Sequence, residues 1–125
     1  MKKLLGLALA FMLTVSAYSA EITSTKDGGI WSNPASWVGG KVPSKGDDVT
    51  ISSKIIADEL FECQSIIIND NSELIVDTKS EEIKCKVQEL TNNGTLTIAK
   101  QSYLYVPDIH NNKAIENQGV IETGK

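Results

Sequence analysis

The 125-residue sequence contains no arginine; all twelve of its basic residues are lysines, set against sixteen acidic residues. Arginine supplies the planar fork that phosphate recognition favours. A chain without it, carrying a formal charge of −4, is a poor ligand for nucleic acid, anionic membranes and sulfated glycans. Histidine occurs once, at His110. It has no cysteine or serine partner in a recognisable arrangement, so no nucleophile–base pair and no catalytic residue can be named. There is no phosphate-cradling glycine loop and no histidine-rich zinc spacing, so neither a cofactor nor a metal site is expected. After the first twenty residues no apolar run approaches the ~20 residues of a membrane-spanning helix, and no segment sustains a helical stripe.

Residues 1–20 read as a signal peptide. Lys2 and Lys3 form a basic start, Leu4 to Val15 an apolar core of about twelve residues, and small residues follow. Cleavage is compatible with Ala17, Ser19 or Ala20 as the last residue removed. Loss of Lys2 and Lys3 leaves ten lysines against sixteen acidic residues, a charge of about −6 on about 105 residues, enough for one domain. The expected destination is outside the cytoplasm: secreted, cell-surface or periplasmic. No membrane span is expected after cleavage.

The stretch from Gly28 to Ile51 holds both tryptophans, two of the three prolines and five of the nine glycines. Asn33-Pro34, Gly39-Gly40 and Lys45-Gly46 punctuate it as turns, and Val49-Thr50-Ile51 begins a strand. Its pattern, W-S-x-P-x-x-W-x-G-G-x-x-P-x-x-G-D-D-V-x-I, resembles the opening of many secreted β-helix proteins. It is also similar to the start of the eight-glycine domain of extracellular animal and bacterial proteins. Trp31, Pro34, Trp37, Gly40, Pro43, Gly46, Asp47, Val49 and Ile51 fall on the positions of that motif. The resemblance, which covers Gly28 to about Ile98, implies a right-handed parallel β-helix capped at one end. It also implies an adhesin-type role or a glycan-binding or glycan-processing setting.

The residues themselves point the same way. An offset of 22 places Cys63 on Cys85, Ile68 on Leu90, Asn71 on Asn93, Leu74 on Leu96 and Val76 on Ile98. Such a repeat is a solenoid signature, in which each unit buries its apolar face only against its neighbours. Asn117-Gln118-Gly119 resembles Asn92-Asn93-Gly94 at an offset of 25. Period-two alternation turns Leu74, Val76, Leu96, Ile98, Leu104 and Val106 inward and Glu73, Thr95 and Thr97 outward.

Each notable residue has two readings. Trp31 and Trp37 are the candidate ligand-binding residues, as a platform for sugar rings; the competing reading makes them the plug of the solenoid's open end. Asp47-Asp48 and the run Asn69 to Glu73 offer oxygen ligands for calcium, or simple turn chemistry. Asn71 and Asn93 would stack as an amide ladder. Cys63 and Cys85, one rung apart at ~4.8 Å, fit the Cα separation of a disulfide worth ~3 kcal/mol, or else fill a core layer as thiols. His110 reads as a solvated loop residue between Pro107 and Lys113.

The expected architecture is all-β: a right-handed parallel β-helix of about three to four rungs over residues 49–125, with a lead-in and cap over 21–48. A small β-sandwich is the alternative. The expected function is an exported, non-catalytic module that presents a surface to a glycan or a surface protein, with self-association through the C-terminal edge. The alternative is a truncated remnant of a larger, polysaccharide-active β-helix.

Overall fold

The computed structural model describes residues 20–124, so all of the expected signal peptide except Ala20 lies outside the described residues. The chain is all-β, a solenoid of about four turns built from parallel strands. The first face stacks β1 (Glu21–Thr23), β3 (Asp48–Ile51), β5 (Glu62–Ile68), β7 (Ser80–Asn92) and β10 (Asp108–Asn111). The second stacks β2 (Gly29–Ile30), β4 (Lys54–Ala57), β6 (Glu73–Val76), β8 (Thr95–Ile98) and β11 (Ala114–Asn117). A third face forms where the first half of β7 pairs with β9 (Ser102–Tyr105), which in turn pairs with β12 (Val120–Glu122). The segment read as a lead-in thus already contributes two strands, since β1 pairs with β3 and β2 with β4.

The core consists of ladders. Ile22, Val49, Ile66, Leu90 and Ile109 lie in one register column, and Ile55, Leu74, Leu96 and Ile115 in another. Of these, all but Ile109 and Ile115 are buried. Each such burial is worth ~1.5–3 kcal/mol. The expected stacking of Leu74 on Leu96 and Val76 on Ile98 is present, with all four side chains turned inward.

The offset of 22 does not hold on the first face. There Ile66 pairs with Leu90 and Ile68 with Asn92, an offset of 24. The two extra residues are absorbed at the corner between β5 and β6, where Asn71 adopts a φ of 64°. The next corner is tighter because Asn92 makes it so. Its side-chain Oδ1 accepts from the backbone N–H of Gly94 at 3.1 Å, and its Nδ2 donates to Asn111 Oδ1 and to the Ala114 carbonyl, both at 2.8 Å. A fully buried amide is tolerated only when so satisfied. The amide ladder therefore runs one turn later than the Asn71–Asn93 stack read from the sequence: Asn92 on Asn111, with Asn112 Nδ2 donating to Asn93 Oδ1 at 2.9 Å. Asn117-Gln118-Gly119 repeats the same Asx turn, its Oδ1 accepting from Gly119 N–H at 3.1 Å, but at the corner before β12 rather than the one before β8.

Gly94 is held to its identity by a close approach. A Cβ there would lie 2.3 Å from the Ser72 carbonyl oxygen and 2.5 Å from that of Asn69, both backbone atoms that cannot rotate away. Gly94→Ala is expected to destabilise the fold by about 2–3 kcal/mol through overpacking, whereas Thr95→Ala, on the outward side, should stay within about 0.5 kcal/mol of the parent. Urea denaturation of both variants checks this; equal stabilities would show that the corner relaxes freely.

Candidate functional site

The N-terminal cap is built around the two tryptophans. Trp31 and Trp37 are each 1% exposed and meet edge to face, with ring centroids 4.9 Å apart. Trp31 also stacks on Phe61 at 4.2 Å, and Trp37 Nε1 donates to the Trp31 carbonyl at 2.9 Å. Ser32 fastens the cap to the end of β4 by donating from its N–H and its hydroxyl to the two carboxylate oxygens of Asp58, at 3.1 and 2.7 Å. The expectation that Trp31 and Trp37 bind a ligand is corrected by this packing. Both ring faces are covered, and the pair is part of the core.

Asp47 is also a buried anchor. Its Oδ2 accepts from the Ser44 N–H and hydroxyl at 2.9 and 3.0 Å, its Oδ1 accepts from the Ala20 N–H at 3.1 Å, and Lys41 Nζ lies 3.9 Å away. Burial opposes its charge, but the hydrogen bonds and Lys41 outweigh that and hold its pKa below the usual carboxylate value. Asp48 points the other way and accepts from the Ser65 hydroxyl at 2.7 Å. The adjacent carboxylates do not converge.

The third face carries the richest chemistry on the surface. Ser102 and Leu104 of β9, and Val106 just after it, turn inward, so Tyr103 and Tyr105 stand side by side on the outside. Lys84, from β7, sets its Nζ 5.4 Å from the Tyr103 ring centroid and 4.9 Å from that of Tyr105. Glu122, directly across from Tyr105 in β12, accepts from Lys84 Nζ at 3.2 Å and from the Tyr103 hydroxyl. The Tyr103 hydroxyl bond, then Lys84, lowers the Glu122 pKa, and the same contacts with Glu122 raise those of Tyr103 and Lys84. Lys84 also lines a shallow adjoining pocket with Leu60, Phe61, Glu62, Ile83 and Lys86. Within it Leu60 is 44% and Ile83 58% exposed. The result is a strip of aromatic rings, one ion pair and exposed aliphatic groups, fixed on rigid strands. The alternation Ser-Tyr-Leu-Tyr-Val around Leu104 already carried the signal for the two outward tyrosines. Lys84 and Glu122 reach them only through tertiary pairing.

His110 does not lie in a loop. It belongs to β10, paired with Thr91, and its Nε2 is 3.0 Å from Asp108 Oδ1. With Glu89 these are the described residues that could gather round a cation, three exposed donors within 4.8 Å of one another. Glu21, Asp48, Ser65, Glu89 and Asp108 form one outward column of the first face. Of the polar run Asn69 to Glu73, Asn69 to Ser72 form the long corner between β5 and β6, and Glu73 opens β6.

The expected bridge between Cys63 and Cys85 is likewise corrected. The slipped register pairs Cys63 with Val87 and Cys85 with Leu104, and both cysteines are free, buried thiols. Burial raises both thiol pKa values, Cys85 to about 11.

Comparison with known proteins places the chain in a family. The G8 domain profile matches residues 36–115, more than half of the chain, and the chain belongs to the G8 domain family. That domain is found in extracellular proteins. No curated protein matches the chain, and no solved structure matches it.

With both thiols buried and protonated, the folded protein should react negligibly with a thiol reagent at pH 8. Denatured without reductant, it should release two thiols per chain. A titre of zero in the denatured protein would restore the disulfide.

Proposed function

We propose that this G8 domain is an exported, non-catalytic binding module, secreted or held at the cell surface or in the periplasm, and that it takes a glycan chain on its third face in an adhesion-type role. The observation that carries this is the Tyr103–Tyr105 pair with Lys84 across both rings and Glu122 joined to Lys84 and Tyr103. Aromatic rings cover the apolar faces of sugars, while a fixed carboxylate and ammonium engage hydroxyls. The exposed Leu60 and Ile83 beside Lys84 favour a protein partner as the second reading. Hydrolysis of a glycan is less well supported. The carboxylates whose pKa moves, Asp47, Asp58 and Glu122, all move down, away from what a general acid requires.

The test is a glycan array followed by titration, with Tyr103→Ala and Tyr105→Ala beside the parent and circular dichroism on all three. Loss of about tenfold or more in affinity, ~1.4 kcal/mol, in folded variants is the expected result. A ligand held equally well by both variants would move the site elsewhere.

A second copy of the chain is also proposed as a partner, through the last described rung. There Ile109, Ile115 and Ile121 remain only partly buried, and β10, β11 and β12 each pair with a single strand among the described residues. Open strand edges invite pairing. Sedimentation velocity should show concentration-dependent association, weakened by Ile115→Lys; a monomer at all concentrations would remove this reading.

A further inference from the structure

We propose that export processing cuts the Ser19–Ala20 bond and that the buried carboxylate of Asp47 receives the α-ammonium group this creates on Ala20. The inference rests on reading residues 1–19 as a leader, and goes beyond that reading in naming the bond and the acceptor. Cleavage is a hydrolysis by a membrane-bound signal-processing peptidase. Water adds across the amide, Ser19 leaves as a carboxylate, and the Ala20 nitrogen becomes an amine that protonates at neutral pH.

Ala20 is fixed at three points. Its N–H donates to Asp47 Oδ1 at 3.1 Å, its carbonyl accepts from the Asp48 N–H at 2.9 Å, and its methyl group packs against the core. The next residue, Glu21, is already paired with Asp48 in β1. Asp47 itself is 5% exposed in its side chain, and its only cation among the described residues is Lys41, at 3.9 Å from Oδ2 and 62% exposed. Oδ1, on the other side, has the Ala20 nitrogen as its hydrogen-bond donor. A buried carboxylate with so distant a counter-ion is stabilised far more by a charged donor than by a neutral amide.

The three sequence-compatible cuts differ in what they leave at this point. Removal through Ala20 would strip both the donor to Asp47 and the acceptor for Asp48 N–H. Removal through Ala17 would leave Tyr18 and Ser19 ahead of Ala20, keep its nitrogen a neutral amide, and place the terminal charge two residues further on. Only the Ser19–Ala20 cut puts the new positive charge against Asp47, and Ala17-Tyr18-Ser19 supplies the small residues such a cut needs.

The charged groups around this pair are Lys41, Asp48 in the next position and Glu21 paired with it; the Cys63 thiol nearby is neutral, kept so by burial and then by Asp47 and Asp48. An ammonium paired with Asp47 has a folded pKa raised above the ~7.7–8.0 of a free α-amine. The stabilisation is therefore fully present below about pH 7.7 and is lost as pH rises through the raised value.

Two measurements decide it. Intact mass and N-terminal sequencing of the exported protein should give a chain that starts at Ala20. In parallel, the Ala20-start protein should melt about 3–6 °C above its Nα-acetylated form at pH 6.5. The difference should vanish by pH 10 and be absent in the Asp47→Asn background. A start at Tyr18 or Glu21, or equal melting of free and acetylated forms at pH 6.5, overturns the proposal. A chain that keeps residues 1–19 overturns it together with the export reading, which the other outcomes leave standing.

Discussion

Every inward side chain of this coil packs on the equivalent side chain of the next turn, at the ~4.8 Å spacing of parallel strands. That single constraint governs the rest of the structure. An apolar ladder forms only where the residues one turn apart face the same way, so each face must keep its own register. The faces need not agree with one another. The second face repeats at 22 and the first at 24 between the same two turns, and the corner between them takes up the difference. Corners are therefore where the sequence is most individual. Asn71 takes up a left-handed turn, Asn92 folds its amide back onto Gly94, and Gly94 lets two backbones approach too closely for any side chain.

A stack of ladders has two ends, and its apolar interior would meet water at both. The chain closes one with aromatic volume. Trp31 and Trp37 bury almost their whole surface, and the Trp37 indole N–H finds its partner in the Trp31 carbonyl, so no polar atom is stranded by the closure. Asp47 does comparable work with charge, tying the Ser44 turn, Lys41 and the start of β1 to one carboxylate. Of these residues Trp37, Lys41, Ser44 and Asp47 lie within the stretch matched by the G8 profile, and in this chain they help to shut the coil.

The fold was legible because its signal is local and repeated. Leu74, Val76, Leu96 and Ile98 alternate in the same sense at one spacing, and no helix or sandwich asks for that. Register was less legible. Matching Cys63 to Cys85 is attractive as a pairing of like residues, but the free energy follows the whole ladder. Sliding the first face by two residues preserves which side chains point inward, sets Ile66 on Leu90, and makes Val87 the neighbour of Cys63. The place of His110 is hidden in the sequence for a related reason. Pro107 and Asn111-Asn112 look like loop punctuation, yet Pro107 ends one strand pairing and the asparagines turn a corner, with β10 between them. The surface strip was the least legible part. Tyr103 and Tyr105 could be placed outward from Leu104 alone, but Lys84 and Glu122, which lie 38 residues apart, meet only once β7, β9 and β12 are paired.

The distribution of charge differs between the faces. The chain is acidic overall, and on the first face the outward column of Glu21, Asp48, Ser65, Glu89 and Asp108 includes no lysine. Lys84 and Lys86 stand instead on the third face, where Lys86 lies between Glu62 and Tyr105 in the register and Lys84 spans the tyrosines. Lysines stand on the second face as well, Lys54 at the start of β4 among them, but Lys84 sets its ammonium against two aromatic rings. The tyrosine rings and the Glu122–Lys84 pair are held by the ladders beneath them, so under the proposed reading they would need little ordering on contact. The same stacking constraint that leaves no room at Gly94 is what makes the third face a rigid surface.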